Sequence, residues 1–129
     1  MGVMTVEPDF QRAEQKAKEL REAGADCPLQ ILKSLQNVAA VSFAQASARY
    51  GIDRETLISM FDAGNQDAIT MFRAGSYLVI YNQELPCKTI RYAVARELGH
   101  IVMDHDGSRP EAVRMAEACH FAEEFLGVV

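Results

Sequence analysis

The chain has 129 residues, 49% of them hydrophobic and 24% charged, with a formal net charge of −5. That size and balance suit one soluble domain that buries its own core, and the acidic excess argues against direct binding to nucleic acid or an anionic membrane. No apolar run approaches membrane-spanning length, and Met1 to Phe10 carries Glu7 and Asp9 without an apolar centre, so neither a span nor a secretory signal is expected. Cys27, Cys87 and Cys119 are odd in number and far apart, which suggests reduced thiols in a cytoplasmic protein.

Residues 7–23 read as a charged helix entered at Pro8 and stopped by Gly24, its Glu, Lys and Arg residues forming a solvated face. Between Leu29 and Tyr50, apolar residues at Ile31, Leu32, Leu35, Val38, Ala39 and Phe43 recur at helical spacing, which predicts one helix ended by Gly51. Asp53 can cap a short helix through Phe61 that closes at Gly64-Asn65. These helices make up an N-terminal part of about residues 7–62.

The texture then changes. Ala68–Phe72 and Tyr77–Tyr81 are rich in β-branched and aromatic residues, and Arg73-Ala74-Gly75-Ser76 between them predicts an antiparallel hairpin. From Pro86 to Met103, Ile90, Val94, Leu98 and Ile101 form an apolar stripe, with Arg96 and His100 on roughly the opposite side and Glu97 on the shoulder. Asp104–Gly107 reads as a turn, and Ser108-Arg109-Pro110-Glu111 matches a capping box. The last helix should run to about Leu126, burying Met115, Ala118, Ala122 and Phe125, with Glu117, His120 and Glu124 on another face. The fold class is therefore α+β, as a single domain over 1–129, with a hairpin and site part over about 67–126.

Residues 95–100 read Ala-Arg-Glu-Leu-Gly-His, one residue short of the zinc-protease signature His-Glu-x-x-His. Four residues turn a helix by about 400°, so the first and last positions of that signature share a face and can hold one metal ion. Glu97 stands where a general base would act on metal-bound water, and His100 where the second ligand belongs. The first ligand position holds Arg96, which is always charged and has no lone pair to offer a cation.

The hairpin, then Asn82, then "IRYAVARELGHIVMDH", then "AEACHFAEEFL" resembles the ImmA/IrrE family of zincin-like metallopeptidases. The family pattern runs close to R-x-F-T-x-A-H-E-L-G-H, followed on the next helix by E-x-x-A-N-x-F-A-x-x-L-L. Glu97, Leu98, Gly99 and His100 match the first block; Glu117, Ala118, Phe121, Ala122 and Leu126 match the second, with Cys119 where asparagine is usual. The resemblance covers residues 67–126. It implies that two motif histidines and a glutamate of the following helix hold zinc while the motif glutamate activates water. Carried over, His100 and Glu117 are the surviving metal positions and Glu97 the surviving base, with His105, Asp104 or His120 able to complete a shell.

Family members often act as antirepressors that cleave a helix-turn-helix repressor. The expectation here is a degenerate member that binds a peptide or repressor segment without cutting it and carries no cofactor. Arg96 would then replace the ion, pairing with Glu117 or, less favourably, Glu97. The rival is a working zinc metallopeptidase with an unusual ligand set; a third reading is an interaction module whose partner surface lies on the N-terminal helices. Glu97-x-x-His100 and Glu117-x-x-His120 also match half of a carboxylate di-iron set, but the stretch from Leu29 to Tyr50 has no acidic residue to supply the other half.

Overall fold

A computed structural model describes residues 7–24, 27–64, 67–103 and 110–127. Helix α1 spans Phe10–Glu22 and α2 Pro28–Ser34; strand β1 (Val38–Ser42) leads directly into α3 (Phe43–Tyr50). Helix α4 (Arg54–Gly64) precedes the hairpin β2 (Ala68–Arg73) and β3 (Ser76–Tyr81), and α5 (Cys87–Val102) and α6 (Glu111–Leu126) complete the chain. The class is α+β.

The expected helix from Leu29 to Tyr50 is broken in three, and its middle is a strand. Val38–Ser42 pairs in parallel with Tyr77–Tyr81, so a sheet partner almost forty residues downstream overrides the local helical spacing. Ser42 then ends the strand and starts α3 through a capping box: its hydroxyl accepts from the Gln45 amide while the Gln45 side chain accepts from the Ser42 amide. The hairpin is thereby widened to a mixed sheet of order β1-β3-β2. Its two-residue turn has positive φ at both Ala74 (53°) and Gly75 (80°), the backbone that matches the twist of the flanking strands.

Alternation along the strands sorts the core into two layers. Ala40 and Val79, with Tyr77 and Tyr81 beside them, face a cluster of Ala13, Ala17, Leu32, Val94, Leu98 and Phe121 from α1, α2, α5 and α6. Val41 and Ile80, with Ile69 and Leu78, face Phe43, Ala46, Leu57 and Phe61 from α3 and α4. Both faces of the sheet are thus covered by helices. Glycine at position 99 lets α5 and α6 close tightly, because a Cβ there would lie 2.9 Å from the Phe121 ring.

Several ends follow local chemistry. Asp9 accepts from the Arg12 amide at 3.0 Å to cap α1, and Asp53 accepts from the Thr56 amide at 2.8 Å to start α4. Helix α6 begins after Pro110, two residues later than a Ser108 cap would place it; Ser108, like the turn 104–107, lies outside the described residues. Met115 is only half-buried, whereas Glu117 points inward instead of occupying a separate polar face. No helix among the described residues is long and apolar enough to cross a membrane.

Candidate functional site

Helix α5 runs beneath β2 and β3, and its middle turn carries the site. Val94, Leu98 and Ile101 fill the core, and the helix packs so deeply that Ala93, Ala95, Glu97 and Gly99 are buried as well. The side opposite the apolar stripe is therefore not solvent-facing: it lies against the start of β2.

Glu97 retains only 2% of its accessible surface. Its Oε2 accepts from the Thr70 hydroxyl at 3.3 Å and lies 3.9 Å from His100 Nε2; its Oε1 lies 3.8 Å from Arg96 Nη2. Burial pushes the carboxyl up to about 7, against the opposing pull of the Arg96 charge and of the hydrogen bonds from Thr70 and Arg96. A carboxyl so placed can take up or release a proton near neutral pH.

Arg96 keeps 12% of its side-chain surface. Among the described residues its partners are Glu97 and the Ala68 carbonyl, to which Nη2 donates at 3.4 Å; the buried Nε finds none. The pairing with Glu117 expected from the sequence is not the one formed. Fully buried on α6, Glu117 accepts the backbone amide of Asp9 at 2.9 Å through Oε2, placing a carboxylate at the start of α1.

Among the described residues no strand pairs with the outer edge of β2, which passes beside Glu97 at Thr70. The Asn82 amide donates to the Asp67 carbonyl, so that pair is hydrogen-bonded, as are, by alternation, 69 with 80, 71 with 78 and 73 with 76. The peptide groups of Ala68, Thr70 and Phe72 consequently point away from β3. Arg96 covers the first of these carbonyls, and Thr70 turns its side chain down to Glu97. Further along, Phe72 is 62% exposed and leans on Tyr77 with ring centroids 4.7 Å apart, beside Met71 at 43%.

These residues do not fit a catalytic zinc ion. Arg96 offers no lone pair, and Glu97, His100 and Glu117 do not bring three ligand atoms within 4.8 Å of one another. The one such group among the described residues is Glu14, His120 and Glu124. His120 accordingly lies with α1 and not with His100, its Nε2 being 2.8 Å from Glu14 Oε1. His105 and Asp104 lie outside the described residues.

Sequence reasoning missed Thr70, Asp9 and Glu14. Thr70 carried a usable signal: it alternates with Ala68 and Phe72 on one face of a strand that precedes the site helix. Glu14, on a helix read as a solvated face, carried none. No family model, curated protein or solved structure matches the chain.

Proposed function

We propose that this protein is a zincin-like domain of the ImmA/IrrE type that binds an extended peptide segment along the edge of β2 without hydrolysing it. The observation that carries the reading is the open edge itself: the peptide groups of Thr70 and Phe72 face outward beside exposed Met71 and Phe72, next to Glu97 at Thr70. An added strand would gain main-chain hydrogen bonds there and rest apolar side chains on the Phe72–Tyr77 pair. Arg96 stands at the first ligand position and brings positive charge to the buried Glu97 carboxyl, the office a metal ion would otherwise hold.

The resemblance of α5 and α6 to that family favours a segment of a helix-turn-helix repressor as the natural occupant, in the cytoplasm. The net charge of −5 favours a protein partner over nucleic acid or a membrane surface.

Selection of displayed random peptides on the wild-type protein, with counter-selection on Phe72→Pro, tests the reading. Binders should be extended apolar peptides that lose the Phe72→Pro variant and survive incubation with protein and zinc intact. Recovery of no binder sensitive to Phe72→Pro would refute edge binding. Cleavage of the recovered peptides that is abolished by Glu97→Gln would return the protein to the working metallopeptidases.

A further inference from the structure

A second constellation lies on the far side of α6, where it meets α1. His120 Nε2 is 2.8 Å from Glu14 Oε1 and 4.0 Å from Glu124 Oε1, and the three donor atoms all lie within 4.8 Å of one another. His120 and Glu124 are four apart on α6 and so share a face, while Glu14 reaches across from α1. The Phe10 ring packs on the imidazole with centroids 4.7 Å apart, which holds its orientation.

We propose that Glu14, His120 and Glu124 form an exchangeable site for a divalent transition metal, zinc by donor chemistry, that ties α1 to α6. Glu14 lies within hydrogen-bonding reach of Nε2, and the i,i+4 spacing brings a second carboxylate, Glu124, to 4.0 Å from the same nitrogen. Ligands about 2.0–2.1 Å from a tetrahedral zinc ion sit about 3.3–3.4 Å apart. The two separations from Nε2 bracket that spacing, so side-chain rotations that shift each carboxylate oxygen by roughly half an ångström or slightly more seat an ion with no movement of either helix. One imidazole and two carboxylates select zinc, nickel or copper over magnesium and calcium, because imidazole is a poor partner for the harder cations. Glu14 is exposed and the other two are half-buried, so the fourth position opens to water and the ion can exchange.

The site is separate from the β2 edge and from Arg96, and binding there braces the helix whose first amide holds Glu117. Metal bound at this seam adds to the attachment that the buried Ala13 and Ala17 give α1.

The test is calorimetric titration of the full chain, freed of tag and stripped with chelator, with zinc chloride, alongside thermal melts. Roughly one equivalent should bind saturably and raise the melting temperature, while magnesium does neither. His120→Ala and Glu14→Gln, each checked for native circular dichroism, should weaken binding at least about tenfold. His100→Ala should leave it unchanged. Absence of saturable binding, wild-type affinity in His120→Ala and Glu14→Gln, or loss of binding in His100→Ala would each overturn the proposal, the last by moving the ion to α5.

Discussion

The Thr70 hydroxyl donates to the buried Glu97 carboxyl at 3.3 Å, joining the open edge of the sheet to the middle turn of α5. Strand and helix are thereby locked at the point where an added peptide would lie. The bond also leaves a titratable group under the edge whose charge is opposed by burial and favoured by Arg96.

This arrangement predicts a pH dependence of stability. Glu97 titrates near 7 in the folded protein against an ordinary value of 4.5, so the folded state holds its proton longer than the unfolded chain does. Its contribution is greatest below about 4.5, falls as pH rises toward 7, and is lost above that. At about 1.36 kcal/mol per pH unit, the loss is on the order of 3 kcal/mol. Glu97→Gln should flatten the profile of unfolding free energy between pH 5 and pH 8. An unchanged slope in the variant would assign the dependence to other groups.

Arg96→His tests whether the helix retains the shape of a metal site. The new imidazole would share a face with His100, and zinc affinity should rise roughly tenfold or more once the α1–α6 site is removed by His120→Ala in both proteins. Without metal, the variant leaves the Glu97 carboxyl with no cation beside it, and should lose up to about 3–5 kcal/mol at pH 8. Less should be lost at pH 5, where Glu97 is protonated. Titration and melts with and without zinc read both effects. No gain in zinc affinity would mean that His100 and Glu117 do not converge even when a third ligand is supplied.

The hairpin register predicts opposite responses to proline at neighbouring positions. The Met71 amide donates within the ladder to β3, whereas the Phe72 amide points off the sheet. Met71→Pro should cost about 1–3 kcal/mol and broaden the amide spectrum of β3. Phe72→Pro should keep the β2–β3 ladder, losing the ring contact with Tyr77 and the ability to accept an added strand. A reversed order, with Phe72→Pro the more destabilising, would show that the register is shifted by one.

Gly99→Ala probes the α5–α6 seam. The added methyl meets the Phe121 ring at 2.9 Å, and that ring is fully buried and stacked on Phe125, so it has little room to retreat. A loss of about 1–3 kcal/mol in denaturant unfolding is expected. A neutral result would show that the helices can separate at no cost.

Much of the architecture was legible in the sequence because its signals are local. The hairpin follows from β-branched and aromatic runs around Ala74-Gly75, α1 and α4 from their start and stop residues, and α5 and α6 from apolar periodicity. Arg96, Glu97 and His100 could be placed on one stretch of helix from spacing alone. Tertiary structure decided the rest. Val38–Ser42 is a strand only because β3 lies beside it, and no local propensity of Val-Ala-Ala-Val-Ser separates that outcome from a helix. Glu117 and Arg96 look like natural partners in one dimension. Once α1 packs across α6, the buried carboxylate meets the Asp9 amide instead, and Arg96 turns to Glu97 and the edge of β2. Glu14 meets His120 for the same reason: periodicity assigns each residue to a face of its own helix, while the identity of the facing helix depends on contacts more than a hundred residues apart in the chain.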